Sequence, residues 1–158
     1  MKFRVGIGYD VHPLVENRPF MLGGIEIEHS KGALGHSDAD TLIHAICDAL
    51  LGAANLGDIG KHFPDTSQDF KNIDSKILLK KTVEIIKQEG YNISNIDSTV
   101  CLQVPKIKSQ IPAMVSILSK TMDIPENDIS IKATTTEKLG FIGREEGISA
   151  YAIALIYK

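Results

Sequence analysis

Residues 5–12 read VGIGYDVH, in which apolar residues alternate with glycine or polar residues. Because successive side chains of a strand point to opposite faces, this alternation predicts a β-strand with two chemically different faces. The apolar face holds Val5, Ile7, Tyr9 and Val11, and the other face holds Gly6, Gly8, Asp10 and His12. We therefore expect the Asp10 and His12 side chains on one side of the sheet, about 7 Å apart along the backbone.

Four further strands are predicted by alternation and by flanking turn residues. Residues 20–27 predict one strand with a bulge or bend at Gly23 and Gly24. The other three are predicted at residues 96–104, 129–136 and 148–157. The last two of these are expected to form an antiparallel pair, joined by a glycine-rich connection.

Apolar stripes at helical spacing predict two helices in the first half of the chain. The first helix covers residues 37–54, and Ser37 with Asp40 resembles a capping box at its start. The second helix starts at Asp74 or Ser75. We expect both helices to pack their apolar stripes against the sheet.

A third predicted helix carries Pro112 in its first turn, and residues 57–72 predict a long loop because they lack a clean period. Strands separated by helices, with an antiparallel pair at the end, favour an α+β fold over a doubly wound parallel fold. The sequence thus predicts one domain, residues 1–158, with a mixed sheet of four to five strands covered by helices on one face.

The composition argues against several classes of protein. The 17 Lys and Arg residues against 20 Asp and Glu residues give a net charge of −3, so we expect no nucleic-acid partner that needs a general basic field. Cys47 and Cys101 are far apart and form no CxxC pair, which argues against a disulfide framework or a thiolate zinc site. With no long apolar run and no signal-peptide pattern, the expectation is a cytoplasmic protein without a membrane partner.

Three residues at the first predicted helix, His36, Asp40 and His44, are spaced to share one helix face. Each of them could complete a metal site with Asp10 and His12. One carboxylate and two imidazoles with an open coordination position are typical of catalytic zinc. These residues alone do not decide which helical residue is the ligand, and a solvated polar face is the alternative.

The surroundings of His44 allow two interpretations. Asp40 and Asp48 lie one turn to either side and could accept a hydrogen bond from the second ring nitrogen, although Asp40 could simply cap the helix. His36 and Ser37 lie at the predicted helix start, where free N–H groups favour a phosphate. The alternative there is a serine N-cap preceded by an exposed histidine.

Residues 132–138 read KATTTEK, with three hydroxyl groups followed by the carboxylate of Glu137. Hydroxyl and backbone N–H groups suit phosphate oxygens, and a carboxylate suits a hard cation such as Mg²⁺. The alternative is a strand edge that ends in a charged turn. Pro105 and Lys106 could likewise form a turn or offer backbone groups to a base.

Five segments together resemble the 2-C-methyl-D-erythritol 2,4-cyclodiphosphate synthase family. They are GYDVH at 8–12, GHSDAD at 35–40 with His44, DALLGAANLGDIGKHFPDT at 48–66, QVPK at 103–106 and KATTTEKLGFIGREEGI at 132–148. The resemblance runs nearly end to end. It implies an enzyme of non-mevalonate isoprenoid biosynthesis that cyclises 4-diphosphocytidyl-2-C-methyl-D-erythritol 2-phosphate and releases CMP.

The resemblance also implies roles for particular residues. The implied zinc ligands are Asp10, His12 and His44, the implied ligand of a second cation, Mg²⁺ or Mn²⁺, is Glu137, and the implied catalytic residues are His36 and Thr135. The metal ions would hold the 2-phosphate against the diphosphate for in-line attack, so no protein nucleophile is expected.

The implied substrate contacts fall in two groups. Those to the phosphate and erythritol are Asp10, His12, His36, Ser37, Asp58, Ile59, Gly60, Phe63, Pro64 and Asp65. Those toward the nucleotide are Leu102, Gln103, Val104, Pro105, Lys106, Ile107, Lys108, Ala133, Thr134 and Thr135. Thr136 and Glu137 are further implied substrate contacts. Ile107 and Lys108 depart from the Met-Leu type of pair that is usual in the family.

The family resemblance further implies a homotrimer with active sites between adjacent subunits. Phe141 and Arg144 match residues around a cavity on the trimer axis, which can accept an isoprenoid diphosphate. Two other functions compatible with the residues are a zinc-dependent phosphohydrolase, which would consume water, and a diphosphate-binding module without catalysis.

Overall fold

The computed structural model describes residues 1–158 and contains a five-stranded sheet, a small hairpin and five helices. The strands are β1 (Phe3–Glu16), β2 (Phe20–Leu22), β3 (Ile25–Ile27), β4 (Lys31–Ala33), β5 (Asn92–Cys101), β6 (Ile129–Thr134) and β7 (Gly147–Tyr157). The helices are α1 (Thr41–Ala53), α2 (Ile59–His62), α3 (Ser75–Gln88), α4 (Ile111–Met122) and α5 (Gly140–Gly143). The predicted α+β class is confirmed.

The main sheet is mixed, with strand order β4-β1-β7-β5-β6. Strand β1 is antiparallel to β4 and β7, β7 is antiparallel to β5, and β5 is parallel to β6. The expected antiparallel pairing of the last two strands is therefore wrong. Helix α4 carries the chain across so that β6 pairs with β5 in parallel, and β7 then enters between β1 and β5.

The predicted strand at residues 20–27 is in fact the hairpin β2–β3. Gly23 and Gly24 form its two-residue turn, with φ angles of 59° and 81°. Both values lie in the left-handed region that favours glycine, so these residues reverse the chain and do not merely bend one strand. The predicted loop at 57–72 also contains structure, namely α2 and a 3₁₀ turn at Gln68–Phe70.

The first long helix begins later than the predicted residues 36–37. Asp40 is its N-cap and accepts a hydrogen bond from the Ile43 N–H at 3.0 Å. Ala39 has a φ of 58°, which interrupts any helix that would start at Ser37. His36 therefore lies in the loop before α1 and does not share a helix face with His44.

Helix α1 packs closely on the even-numbered face of β1. A Cβ atom at Gly8 would lie 1.8 Å from the Ala45 carbonyl oxygen, and one at Gly6 would lie 2.1 Å from the Ala49 carbonyl oxygen. Only glycine permits this approach of strand and helix. The apolar face of β1 consequently points away from the helices, and Ile7 is 70% exposed in the isolated chain.

The core lies between the sheet and the three long helices. Helix α1 is its centre, because nearly every α1 side chain is buried, and α3 covers α1 on the outside. None of the helices combines the length and apolarity that crossing a bilayer requires.

Candidate metal centre and active site

Three predicted ligands converge between β1 and α1. Asp10 Oδ2 lies 2.8 Å from His12 Nε2 and 3.2 Å from His44 Nδ1, and the two histidine nitrogens are 3.2 Å apart. Ligand atoms around a tetrahedral metal with bonds of about 2.0–2.1 Å are separated by roughly 3.3 Å. The three donor atoms therefore fit a single divalent metal ion.

The ring of His12 is oriented for this role by the strand end opposite it. Its Nδ1 atom lies 3.0 Å from the Leu34 carbonyl oxygen, which can only accept a hydrogen bond. Nδ1 therefore carries the proton in the neutral ring, and the Nε2 lone pair faces Asp10 and His44. Gly35 leaves room for this ring, because a Cβ atom there would lie 2.8 Å from His12 Cε1.

The second nitrogen of His44 contacts two serine hydroxyl groups. His44 Nε2 lies 3.1 Å from Ser37 Oγ and 3.0 Å from Ser75 Oγ. The aspartates predicted for this position have other partners. Asp40 accepts from the Gly23, Gly24 and Ile43 N–H groups, and Asp48 accepts from the Ile59 N–H at 2.7 Å.

The charges within the centre stabilise one another. Burial acts to raise the pKa of Asp10, but hydrogen bonds from His12 and His44 outweigh it and lower that pKa below its ordinary value. Burial acts to lower the pKa of His12, but the Asp10 carboxylate outweighs it, so the pKa of His12 is raised. Without metal, the two pKa shifts therefore favour an ion pair between the Asp10 carboxylate and protonated His12. A bound cation would take the place of the His12 proton.

A cavity of about 360 Å³ opens over the three donor atoms. Of the predicted site residues, it is lined by Asp10, His12, His36, Ser37, His44, Ile59, Gly60, Phe63 and Asp65, and Gly35, Phe70 and Leu78 complete the wall. Asp58 and Pro64 belong to the same segment but do not line the cavity. Asp58 instead caps α2 by accepting from the Lys61 N–H at 3.0 Å.

A second cavity of about 240 Å³ lies at the β5–β6 end of the sheet. It is lined by Leu102, Gln103, Pro105, Lys106, Ile107, Lys108, Ala133, Thr134 and Thr135, which are nine of the predicted nucleotide-contact residues. Val104 precedes Pro105 through a cis peptide bond and does not line the cavity.

The two cavities share no lining residue within one chain. The register places Asp10 opposite Ala150, Ala150 opposite Val100, and Val100 opposite Ala133. Three strand spacings of about 4.8 Å therefore separate Asp10 from Ala133, or roughly 14 Å. The structure gathers the predicted residues into two groups and does not unite them in one pocket.

The remaining predicted residues lie outside both cavities. Glu137 is exposed, has a φ of 54°, and donates its backbone N–H to Thr135 Oγ1 at 3.2 Å. Thr136 and Phe141 line a separate depression of about 350 Å³. Arg144 is absent from that lining and pairs with Glu146 at 2.9 Å.

Sequence reasoning missed the residues that hold the loop before α1. Arg18 donates to the carbonyl groups of Ala33, Gly35 and Ser37, and the Ser75 hydroxyl donates to Asp38. Arg18 and Ser75 are remote in sequence from the loop they contact. No local spacing could have revealed these contacts.

Known proteins similar to this chain were found by sequence and by structure. The model of the YgbB family matches residues 3–157. A 2-C-methyl-D-erythritol 2,4-cyclodiphosphate synthase from Bacteroides fragilis is 67% identical over 156 residues, which cover 99% of this chain and 98% of that protein.

Two solved structures have the same fold over 98% of this chain. The bifunctional IspDF from Campylobacter jejuni has a TM-score of 0.95 and 46% identity, and the chain spans 42% of that longer protein. A 2C-methyl-D-erythritol-2,4-cyclodiphosphate synthase in a CDP-bound form has a TM-score of 0.90 and 35% identity, and all of that protein is covered. The chain therefore belongs to the YgbB family, together with these cyclodiphosphate synthases.

Proposed function

We propose that this protein converts 4-diphosphocytidyl-2-C-methyl-D-erythritol 2-phosphate to 2-C-methyl-D-erythritol 2,4-cyclodiphosphate and CMP, a step of isoprenoid biosynthesis. The observation that carries the proposal is the convergence of Asp10, His12 and His44 beneath a cavity large enough for a phosphorylated polyol. Relatives at 63–67% identity that are named 2-C-methyl-D-erythritol 2,4-cyclodiphosphate synthase support it.

The metal in the centre is proposed to be Zn²⁺. Two imidazole nitrogens and one carboxylate oxygen suit this ion, and three protein ligands leave a position for substrate. When bound, it would supply charge neutralisation at a phosphate oxygen, which lowers the repulsion between two anionic groups. Asp10, His12 and His44 would hold it.

Residues around the cavity would position the substrate and exclude water. His36 is fixed by a 2.7 Å contact between its Nε2 atom and the Ser67 carbonyl oxygen, and Ser37 stands beside His44. Phe63 and Phe70 meet edge to face, with ring centroids 5.6 Å apart, and form the apolar side of the wall. The 2-phosphate is already ionised and needs no general base. These residues would therefore act by holding the 2-phosphate in line with the β-phosphorus of the diphosphate, from which CMP leaves.

The second cavity is proposed to bind the cytidine part of the substrate. Solved cyclodiphosphate synthases with CDP, including one from Plasmodium falciparum, support a nucleotide-linked ligand. His36 and Thr135 are proposed to stabilise the transition state. Glu137 is proposed to bind a second cation, Mg²⁺ or Mn²⁺, because its exposed carboxylate follows the threonine hydroxyls.

A homotrimer is proposed because one chain separates the two cavities. An adjacent subunit could place its nucleotide cavity beside the metal centre of the first. The exposed apolar face of β1 and β7 supports association, since Ile7 and Ile153 are cross-strand partners and are 70% and 46% exposed. An isoprenoid diphosphate near Phe141 and Arg144 and a cytoplasmic location stay predictions.

The source of oxygen in the products tests the proposed reaction. The purified protein is incubated with the substrate, Zn²⁺ and Mg²⁺ in H₂¹⁸O, and the products are examined by mass spectrometry. Cyclisation consumes no water, so CMP and the cyclic diphosphate should contain no ¹⁸O. Incorporation of ¹⁸O into a linear phosphate product would instead establish a phosphohydrolase.

A further inference from the structure

His44 has different partners at its two ring nitrogens. Nδ1 faces Asp10 and His12, whereas Nε2 faces the hydroxyl groups of Ser37 and Ser75 at 3.1 and 3.0 Å. A neutral imidazole has one N–H group and one lone pair. An acceptor that holds a proton on Nε2 therefore favours the form in which Nδ1 has a lone pair available for a metal.

The Ser75 hydroxyl is set up to accept a hydrogen bond from His44. Its own proton is donated to Asp38 Oδ1, and the Ser75 backbone N–H donates to Asp38 Oδ2 at 3.0 Å. A carboxylate accepts hydrogen bonds but does not donate them. Because the Ser75 proton is directed at Asp38, the lone pairs of Ser75 Oγ face the His44 ring.

The backbone and the carboxylate of Asp38 are each held by a further hydrogen bond. The Asp38 N–H donates to the Ile73 carbonyl oxygen at 3.1 Å, and the Asp40 N–H donates to Asp38 Oδ1 at 3.2 Å. Ser75 is fully buried at the first turn of α3. The contact chain from Asp38 through Ser75 to His44 thus joins the loop before α1, the start of α3 and α1 itself.

We propose that Asp38 and Ser75 are positioning residues for the metal centre, which hold His44 in the Nε2–H tautomer with the Nδ1 lone pair toward the metal. The inference rests on the metal site of the proposed function. Metal-binding histidines commonly donate their second N–H to a carboxylate or carbonyl group. Here a serine hydroxyl stands between the ring and the carboxylate.

The test compares Ser75→Ala with Ser98→Ala. Ser98 is a buried serine whose hydroxyl donates to the Ser130 carbonyl oxygen at 2.9 Å, away from the metal centre. Zinc affinity is measured by competition with a chromophoric chelator. Ser75→Ala is expected to bind Zn²⁺ about 10–100-fold more weakly than the wild type, and Ser98→Ala is expected to match the wild type.

The His44 Nε2–H group is read separately in the zinc-loaded protein by ¹H–¹⁵N NMR, because without metal the Asp10 carboxylate, 3.2 Å from Nδ1, would itself attract the ring proton. The wild type is expected to show an Nε2–H proton that exchanges slowly with water, and Ser75→Ala is expected to exchange it faster. Asp38→Ala should change both readings in the same direction, because a Ser75 hydroxyl released from Asp38 is no longer held to accept a hydrogen bond from Nε2. Its readings decide the question if Ser75→Ala does not fold.

Equal zinc affinity and an unchanged rate of Nε2–H exchange in both Ser75→Ala and Asp38→Ala would overturn the inference. Failure of the metal site itself gives a different result. In that case the wild type itself would bind no Zn²⁺, which would overturn the proposed metal together with the roles of Asp38 and Ser75.

Discussion

Replacing Gly8 by alanine should damage the fold and the metal centre together. The new Cβ atom would lie 1.8 Å from the Ala45 carbonyl oxygen, whereas ordinary contacts begin at 3.4 Å. Strand β1 and helix α1 would have to separate by about 1.6 Å, the difference between these distances. His44 immediately precedes Ala45, so the same movement would draw it away from Asp10.

The loss of stability in Gly8→Ala depends on which atoms the new Cβ atom would overlap. Overpacking costs about 1–3 kcal/mol, and occasionally more, as surrounding groups shift. Here the obstacle at Gly8 is helix backbone, which no rotamer change can relieve, so we expect a loss of about 3–5 kcal/mol. For a domain of this size the melting temperature should fall by roughly 6–20 °C. Zinc affinity should fall as well, because the displaced His44 would not keep its metal–nitrogen distance within about 0.2 Å of the normal value.

Gly52→Ala is the matched control. Gly52 lies within α1, and its added Cβ would meet only the Ile7 carbonyl oxygen at 3.9 Å. We expect this variant to be as stable as the wild type or more stable by about 0.5–1 kcal/mol. Thermal melts followed by circular dichroism provide the comparison. If Gly8→Ala melted within about 2 °C of Gly52→Ala, the close packing of β1 on α1 would be refuted.

Three other predictions concern the cap, the metal ligands and the exposed sheet face. Asp40→Ala should lose at least about 3 kcal/mol in urea unfolding, because it leaves three backbone N–H groups without their acceptor; a loss below about 1 kcal/mol would contradict this role. Saturating Zn²⁺ at about 100 times its Kd should stabilise the wild type by about 2.7 kcal/mol, and EDTA should remove that gain. In metal-free protein, the raised pKa of His12 contributes stability that is full below about pH 6.5 and lost as pH rises through the folded-state pKa. The lowered pKa of Asp10 contributes stability above about pH 4 that is lost as pH falls through the folded-state pKa. His12→Ala should therefore abolish the zinc effect and destabilise the metal-free protein more at about pH 5.5 than at about pH 8.5; an equal loss at both pH values would refute the ion pair. The double variant Ile7→Asp with Ile153→Asp should sediment as a folded monomer while the wild type sediments as a trimer; a variant that still sediments as a trimer would exclude this face as the interface.

The chemical face of β1 could be predicted from sequence because its signal is local. Alternation places Asp10 and His12 on one face, and the structure confirms that their ligand atoms converge with His44. The start of α3 was equally accessible, since Asp74 caps it through the Lys76 N–H at 2.9 Å. Both signals depend on residues within a few positions of one another.

The features that sequence could not supply depend on distant segments. The spacing of Ser37 and Asp40 suits a capping box, but the Gly23 and Gly24 N–H groups hold the Asp40 carboxylate and help place the helix start at Thr41. One of the two hydroxyl partners of the second His44 nitrogen is Ser75, which is 31 residues away. Sheet order was likewise set by long-range pairing.

The sequence pattern also could not predict which face of β1 is buried. A strand with one apolar face would ordinarily turn that face to the core. In this chain Gly6 and Gly8 admit α1 on the opposite face, and the apolar residues remain exposed. Periodicity identifies the two faces, but only the partner of each face decides which one is buried.

A ³¹P NMR time course tests most directly whether this metal centre performs the proposed cyclisation. The purified protein is mixed with 4-diphosphocytidyl-2-C-methyl-D-erythritol 2-phosphate, Zn²⁺ and Mg²⁺, beside His44→Ala and beside His29→Ala, whose ring packs on Phe20 with centroids 6.2 Å apart. We predict that cyclic diphosphate and CMP form at equal rates with the wild type and His29→Ala, and that neither forms with His44→Ala. Linear phosphate products, or cyclisation that persists in His44→Ala, would contradict the assignment of this site.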